Sequence, residues 1–129
     1  MKLITNLITI FIVFIFCFSY KIHDSSALSD VDWILLKENE DGKEWLDLGS
    51  IKNFNNNEIG VLTKFYENPK RDNEKGNTSL YVMRINCISN QFKDTSINGL
   101  PTFNSSWQEP NNDELIEVVL EKACKEGGF

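Results

Sequence analysis

Hydrophobic and polar residues alternate along much of this chain, and short turn-forming segments interrupt the alternation. In "DWILLKE" Trp33 and Leu35 share one face and Ile34 and Leu36 the other, which is the period of a β-strand. Asp41-Gly42 then predicts a hairpin turn, because glycine takes positive φ without steric cost, and "EWLDLGSI" reads as the returning strand. "IGVLTKFYE" sets Val61, Thr63 and Phe65 against Leu62, Lys64 and Tyr66. After the loop "NPKRDNEKGN", punctuated by Pro69 and Gly76, "TSLYVMRINCISNQF" carries the longest strand signal. Its inner face holds Tyr81, Met83, Ile85 and Cys87, and its outer face Leu80, Val82, Arg84 and Asn86. "SINGLPTF" predicts a second hairpin, turning at Asn98-Gly99.

The period changes after Pro110. "NNDELIEVVLEKACKEGG" places Ile116, Leu120 and Cys124 on one helical face, with Val119 and Ala123 beside them. Asn111 or Asn112 is the expected N-cap, acids fill the first turn, and Lys122 and Lys125 precede a Gly127-Gly128 stop. The pattern therefore predicts an α+β domain. An antiparallel meander of five or six strands is followed by one amphipathic C-terminal helix on one sheet face.

Before these elements stands "LITNLITIFIVFIFCFSY", apolar, preceded by Lys2 and followed by polar and small residues. These are the parts of a secretory signal, expected over residues 1–29 with the domain over 30–129. An uncleaved membrane anchor is the alternative, since the run approaches the roughly 18 to 20 residues needed to span. Ile15-Phe16 before Cys17 are too bulky for a lipoprotein signal. Either reading places the domain outside the cytoplasm, in the periplasm, secreted or at the cell surface. The membrane is then met only through this segment, if it is retained.

Removing Lys2, Lys21 and Asp24 from the 13 basic and 19 acidic residues leaves 11 and 18, a net charge near −7. An acidic domain without a basic stripe is a poor partner for nucleic acid. The single histidine, His23, falls within the expected signal, so the mature domain has none. Histidine triads, histidine-ligated zinc and histidine general bases are thereby excluded.

Cys87 and Cys124 lie on the apolar faces of a strand and a helix that the packing brings together. In an exported domain two thiols so placed are expected to form a disulfide, with free buried cysteines as the alternative. Closing that loop contributes roughly 4 kcal/mol in the chain-entropy model. The acids Glu38, Glu40, Asp41 and Glu44 suggest a calcium loop only superficially. Aligning Gly42 with the loop glycine puts Lys37 at the first ligand position, so they read as a solvated hairpin tip. Lys70, Arg71 and Lys75 protrude in the long loop as a candidate partner contact, although Asp72 and Glu74 between them also fit plain solvation. Trp33, Trp45 and Trp107 fit core and edge packing better than an exposed platform.

"DWILL", "EWLDLGSI", "RINC", "SSWQEP" and "LEKAC", in this order and spacing, resemble the bacterial surface-adhesin protein E family over residues 32–125. The resemblance implies a bent antiparallel sheet with the helix tethered to its concave face by the Cys87–Cys124 disulfide. It also implies an exported, non-enzymatic protein without a cofactor that binds an extracellular or envelope protein partner. Family members take their name from binding host matrix proteins, often as dimers, so a homodimer is one expected assembly. The alternatives are a periplasmic carrier of a small molecule or lipid in the sheet's concavity, and an envelope-structural protein. A helix packed flush on the sheet, leaving no ligand-sized pocket, excludes the carrier.

Overall fold

The computed structural model describes residues 31–54 and 57–129, so the expected signal over residues 1–29 lies outside the described residues. Strands β1 (Trp33–Glu38), β2 (Gly42–Asn53), β3 (Glu58–Glu67), β4 (Asn77–Asn86), β5 (Gln91–Ile97) and β6 (Leu100–Pro101) precede helix α1 (Glu114–Glu126). They form one antiparallel sheet in the order β1-β2-β3-β4-β5-β6, each strand paired with its sequence neighbour. This is the expected meander. Among the described residues no helix is long and apolar enough to cross a membrane.

The period-two pattern decides which face is buried. Leu46, Ile59, Val61, Met83, Ile85 and Phe92 point to the inner face and form the core with Val119, Leu120 and Ala123 of α1. The helix packs on β1, β2 and β3. Its N-cap is Asp113 rather than either asparagine before it. The Asp113 carboxylate accepts from the Leu115 and Ile116 amides, while Asn111 and Asn112 take positive φ in the lead-in turn. At the other end the Gly127 and Gly128 amides return to the carbonyls of Ala123 and Lys125.

Two turns differ from the sequence pattern. The first hairpin is built on Asn39, whose side-chain oxygen accepts from the Asp41 and Gly42 amides. Gly42 itself starts β2 and is needed for space. A Cβ there would stand 2.0 Å from the Tyr66 carbonyl oxygen and 2.7 Å from the Phe65 ring. The long strand expected from Thr78 onward ends at Asn86. Asn86 Oδ1 accepts from the Ile88 and Ser89 amides, and Asn90 takes φ 53°, turning the chain back into β5. Cys87 therefore opens a turn instead of sitting mid-strand. The second hairpin turns where expected, with Asn98 at φ 50° and Gly99 at φ 80°.

Register shifts interrupt the β1–β2, β2–β3 and β4–β5 ladders. In β2 the gap is filled by side chains: Ser50 Oγ donates to the Asp47 carbonyl and accepts from the Leu62 amide. The buried Asp47 carboxylate accepts from the Asp32 and Gly49 amides. The shift in β1 turns Lys37 toward the helix, where its ammonium meets Glu114 at 2.6 Å.

Cys87 and Cys124 form a disulfide that closes 37 residues of chain and fastens the end of β4 to the last turn of α1. Replacing both cysteines by serine should lower unfolding free energy by about 4 kcal/mol in urea titration, the chain-entropy value for this loop. Gly42→Ala should cost about 1–3 kcal/mol in the same measurement, because the added methyl overlaps a backbone carbonyl that cannot rotate away.

Candidate functional site

The helix leaves part of the inner face uncovered. Beyond its N-terminus a cleft of about 660 Å³ opens between α1 and the sheet, within the roughly 300–1,000 Å³ usual for ligand sites. Its apolar wall is Phe65 of β3, Tyr81 and Met83 of β4, Phe92 of β5, and Leu115 and Ile116 of α1. Five carboxyl groups line it: Asp41, Glu44, Asp94, Asp113 and Glu114. Among the described residues no lysine or arginine does.

Glu44 departs from the solvated hairpin tip that its acidic neighbours Glu38, Glu40 and Asp41 predict, for it is only 3 % exposed. The signal was its phase: Glu44 shares the inward face of β2 with Leu46, two residues on. Burial away from water pushes its carboxyl up to about 8, and the Asp113 charge pushes the same way against a hydrogen bond from Thr63. Burial also raises the Asp94 carboxyl above its usual range. Glu114 shifts down, because its hydrogen bond and charge pairing with Lys37 favour the ionised form.

The outer face has the opposite character. Lys64 lies 4.7 Å from the Trp33 ring centroid and 4.5 Å from that of Trp45, so its ammonium sits between two indoles. Lys93 lies 4.5 Å from the ring of Trp107. The three tryptophans, expected in core or edge packing, are half-buried partners of lysines. Cross-strand pairing sets Leu35 opposite Trp45, Trp45 opposite Lys64, and Lys64 opposite Leu80. Leu35, Leu80 and Val82 are exposed there. Arg84 ion-pairs with Glu58 at 2.7 Å and lies under the Phe54 ring, which fills the space over Gly60.

The candidate contact loop places Lys70, Arg71 and Lys75 together on the surface between β3 and β4. Lys70 pairs with Glu67 and Arg71 with Glu74, so much of the charge is met within the loop. Cys87 and Cys124 are joined and serve the fold.

A family model described as the surface adhesin-E family matches residues 34–128, from the first strand to the end of the helix. The chain belongs to the surface adhesin-E family. No curated protein and no solved structure matches it. For this adhesin-E domain the match includes Trp45, Lys64, Lys93 and Trp107 of the outer face and every residue that lines the inner cleft.

Glu44 also couples stability to pH. Its folded pKa lies above the unfolded value, so the native state holds the extra proton and stability falls as pH rises from about 4.5 to about 8. Glu44→Gln removes that slope. Its advantage over the parent protein should be near zero at acidic pH and grow to a few kcal/mol by slightly alkaline pH. Urea titrations across this range measure it, and parallel curves for the two proteins would contradict the assignment.

Proposed function

We propose that this protein is an exported, non-enzymatic binding protein of the adhesin-E type. Its protein partner docks on the outer sheet face. The observation that carries the reading is the pair of indoles holding Lys64, set among the exposed side chains of Leu35, Leu80 and Val82. Aromatic and aliphatic side chains around a cation supply both the apolar contact and the charge typical of interface hot spots. Within an acidic protein this face carries Lys64 and Lys93, neither ion-paired among the described residues, so the partner it fits presents acidic groups around an apolar patch. Family membership supports the binding role, and the apolar run near the N-terminus supports export.

The test measures binding of the purified protein to immobilised extracellular-matrix proteins, the partner class that the family name implies. Lys64→Glu should weaken the interaction by about tenfold or more, and added salt should weaken binding of the parent protein. The triple variant Lys70→Ala, Arg71→Ala, Lys75→Ala should bind as the parent does. Loss of binding in the triple variant alone would move the contact to the loop. No saturable binding to any matrix protein would remove the matrix-adhesion reading. Mass spectrometry of the protein recovered from cells should give an N-terminus near residue 30, after the small residues that follow the apolar segment, and an intact chain would indicate an anchor instead.

A further inference from the structure

The inner cleft is separate from the outer face and has chemistry of its own. Glu44 lies on the core face of the sheet, where an apolar side chain would bury without penalty. The contrast with Asp47, equally buried in the same strand, is direct. Asp47 is satisfied by two backbone amides, whereas no backbone amide and no cation reaches Glu44 among the described residues. Its one donor is the Thr63 hydroxyl, which also stands 3.7 Å from Met83 Sδ. The natural cation, Lys37, pairs directly across from Glu44 in the β1–β2 ladder but extends to Glu114 instead. The Asp94 carboxylate likewise accepts no hydrogen bond among the described residues, the Thr102 hydroxyl donating to the Asp94 backbone carbonyl instead.

These two under-partnered carboxyls stand on opposite sides of one cleft. Glu44 is on β2 and Asp94 on β5, with β3 and β4 between them; the ladders set Glu44 level with Ser79 and Asp94 level with Met83, four residues further along, so the strand spacing and rise put their Cα atoms on the order of 20 Å apart. The floor between is apolar and aromatic: Phe65, Tyr81, Met83 and Phe92. Among the described residues no three acids converge closely enough to hold a metal ion. Separated carboxyls with an apolar span between them match a cation whose charges are likewise separated by hydrocarbon.

We propose that the cleft binds a long linear aliphatic polyamine, one ammonium at Glu44, another at Asp94, and the methylene chain running diagonally over the Phe65–Tyr81–Met83 floor. Asp41 and Asp113 at the rim add negative potential and draw the cation in. Aliphatic ammonium groups keep their protons at neutral pH, so pairing with Glu44 ionises the carboxyl and its proton passes to solvent. The charged and titratable groups around Glu44 are Lys37 of β1, Asp41 of the first turn, Tyr81 of β4, Asp94 of β5, and Asp113 and Glu114 at the start of α1. Lys37 is held by Glu114, which leaves Glu44 as the group whose proton is released on binding.

Isothermal titration of spermidine and spermine into the protein, expressed from the full-length sequence and purified with its disulfide intact, tests the proposal. The titration is run at neutral pH in two buffers of different ionisation enthalpy. Saturable one-to-one binding with release of up to about one proton is expected, with affinity rising by up to about tenfold per pH unit below the Glu44 pKa. Glu44→Gln should abolish the proton release and weaken binding by about tenfold or more, and Asp94→Asn should weaken it without abolishing the release. Butylamine, which carries one charge, should bind about tenfold more weakly than spermidine. Absence of saturable binding would overturn the proposal. So would binding unchanged in Glu44→Gln, or matched by magnesium ion, either of which would mark nonspecific attraction to an acidic surface. Lys64→Glu leaves the cleft intact, so amine binding and partner binding are lost separately.

Discussion

A helix of thirteen residues has to cover a sheet of six strands, and it is too short. At 1.5 Å per residue it extends about 20 Å, enough to lie across β1, β2 and β3 but not the far half of the inner face. That mismatch governs the rest of the molecule. Where α1 covers the sheet, Leu46, Ile59, Val61, Val119 and Leu120 close into a dry core. Where it stops, the same face continues as a cleft walled by Tyr81, Met83 and Phe92. The disulfide matters because so small a contact area holds the helix: it fastens the C-terminal end, while Asp113 and the Lys37–Glu114 pair organise the other. A helix packed flush along the whole sheet would exclude a carrier role, and this one leaves a ligand-sized opening.

The two sheet faces divide the protein's chemistry. Among the described residues the inner cleft is lined by carboxyl groups, with Lys37 held at its edge by Glu114, and the outer face sets Lys64 and Lys93 on tryptophan rings. The strand period is the physical origin of this separation. Along β2, Lys43 and Trp45 point outward while Glu44 and Leu46 point inward, so adjacent residues serve opposite surfaces. A protein with a net acidic charge thereby presents a locally basic, aromatic face. Charge summed over the sequence could not reveal that division.

Much of the fold could be read from the residues because each local preference agrees with the global packing. The phases of Cys87 and Cys124 pointed to a disulfide, Asn98-Gly99 to a turn, and Ile116, Val119 and Leu120 to the buried side of one helix. Three features were hidden. The turn after Asn86 was masked because "INCISNQF" keeps an apparent alternation, and asparagines are too common in this chain for Asn86 and Asn90 to stand out. Asp113 displaced the asparagines as N-cap because both of those adopt left-handed backbone in the preceding turn. The cleft escaped because it depends on where α1 stops relative to the sheet, a tertiary distance with no local signature. Glu44 could have been recognised from its phase with Leu46, but its acidic neighbours suggested solvent.

Because every strand pairs with the next one in sequence, the sheet is assembled from local hairpins, and only the helix must return across the chain to reach β1. Low contact order of this kind favours rapid formation of the meander, with the helix docking last. The Cys87–Cys124 disulfide joins this helix to the end of β4 and so secures it on the sheet. The sheet needs no covalent bond to form, and the disulfide fixes the contact most easily reversed.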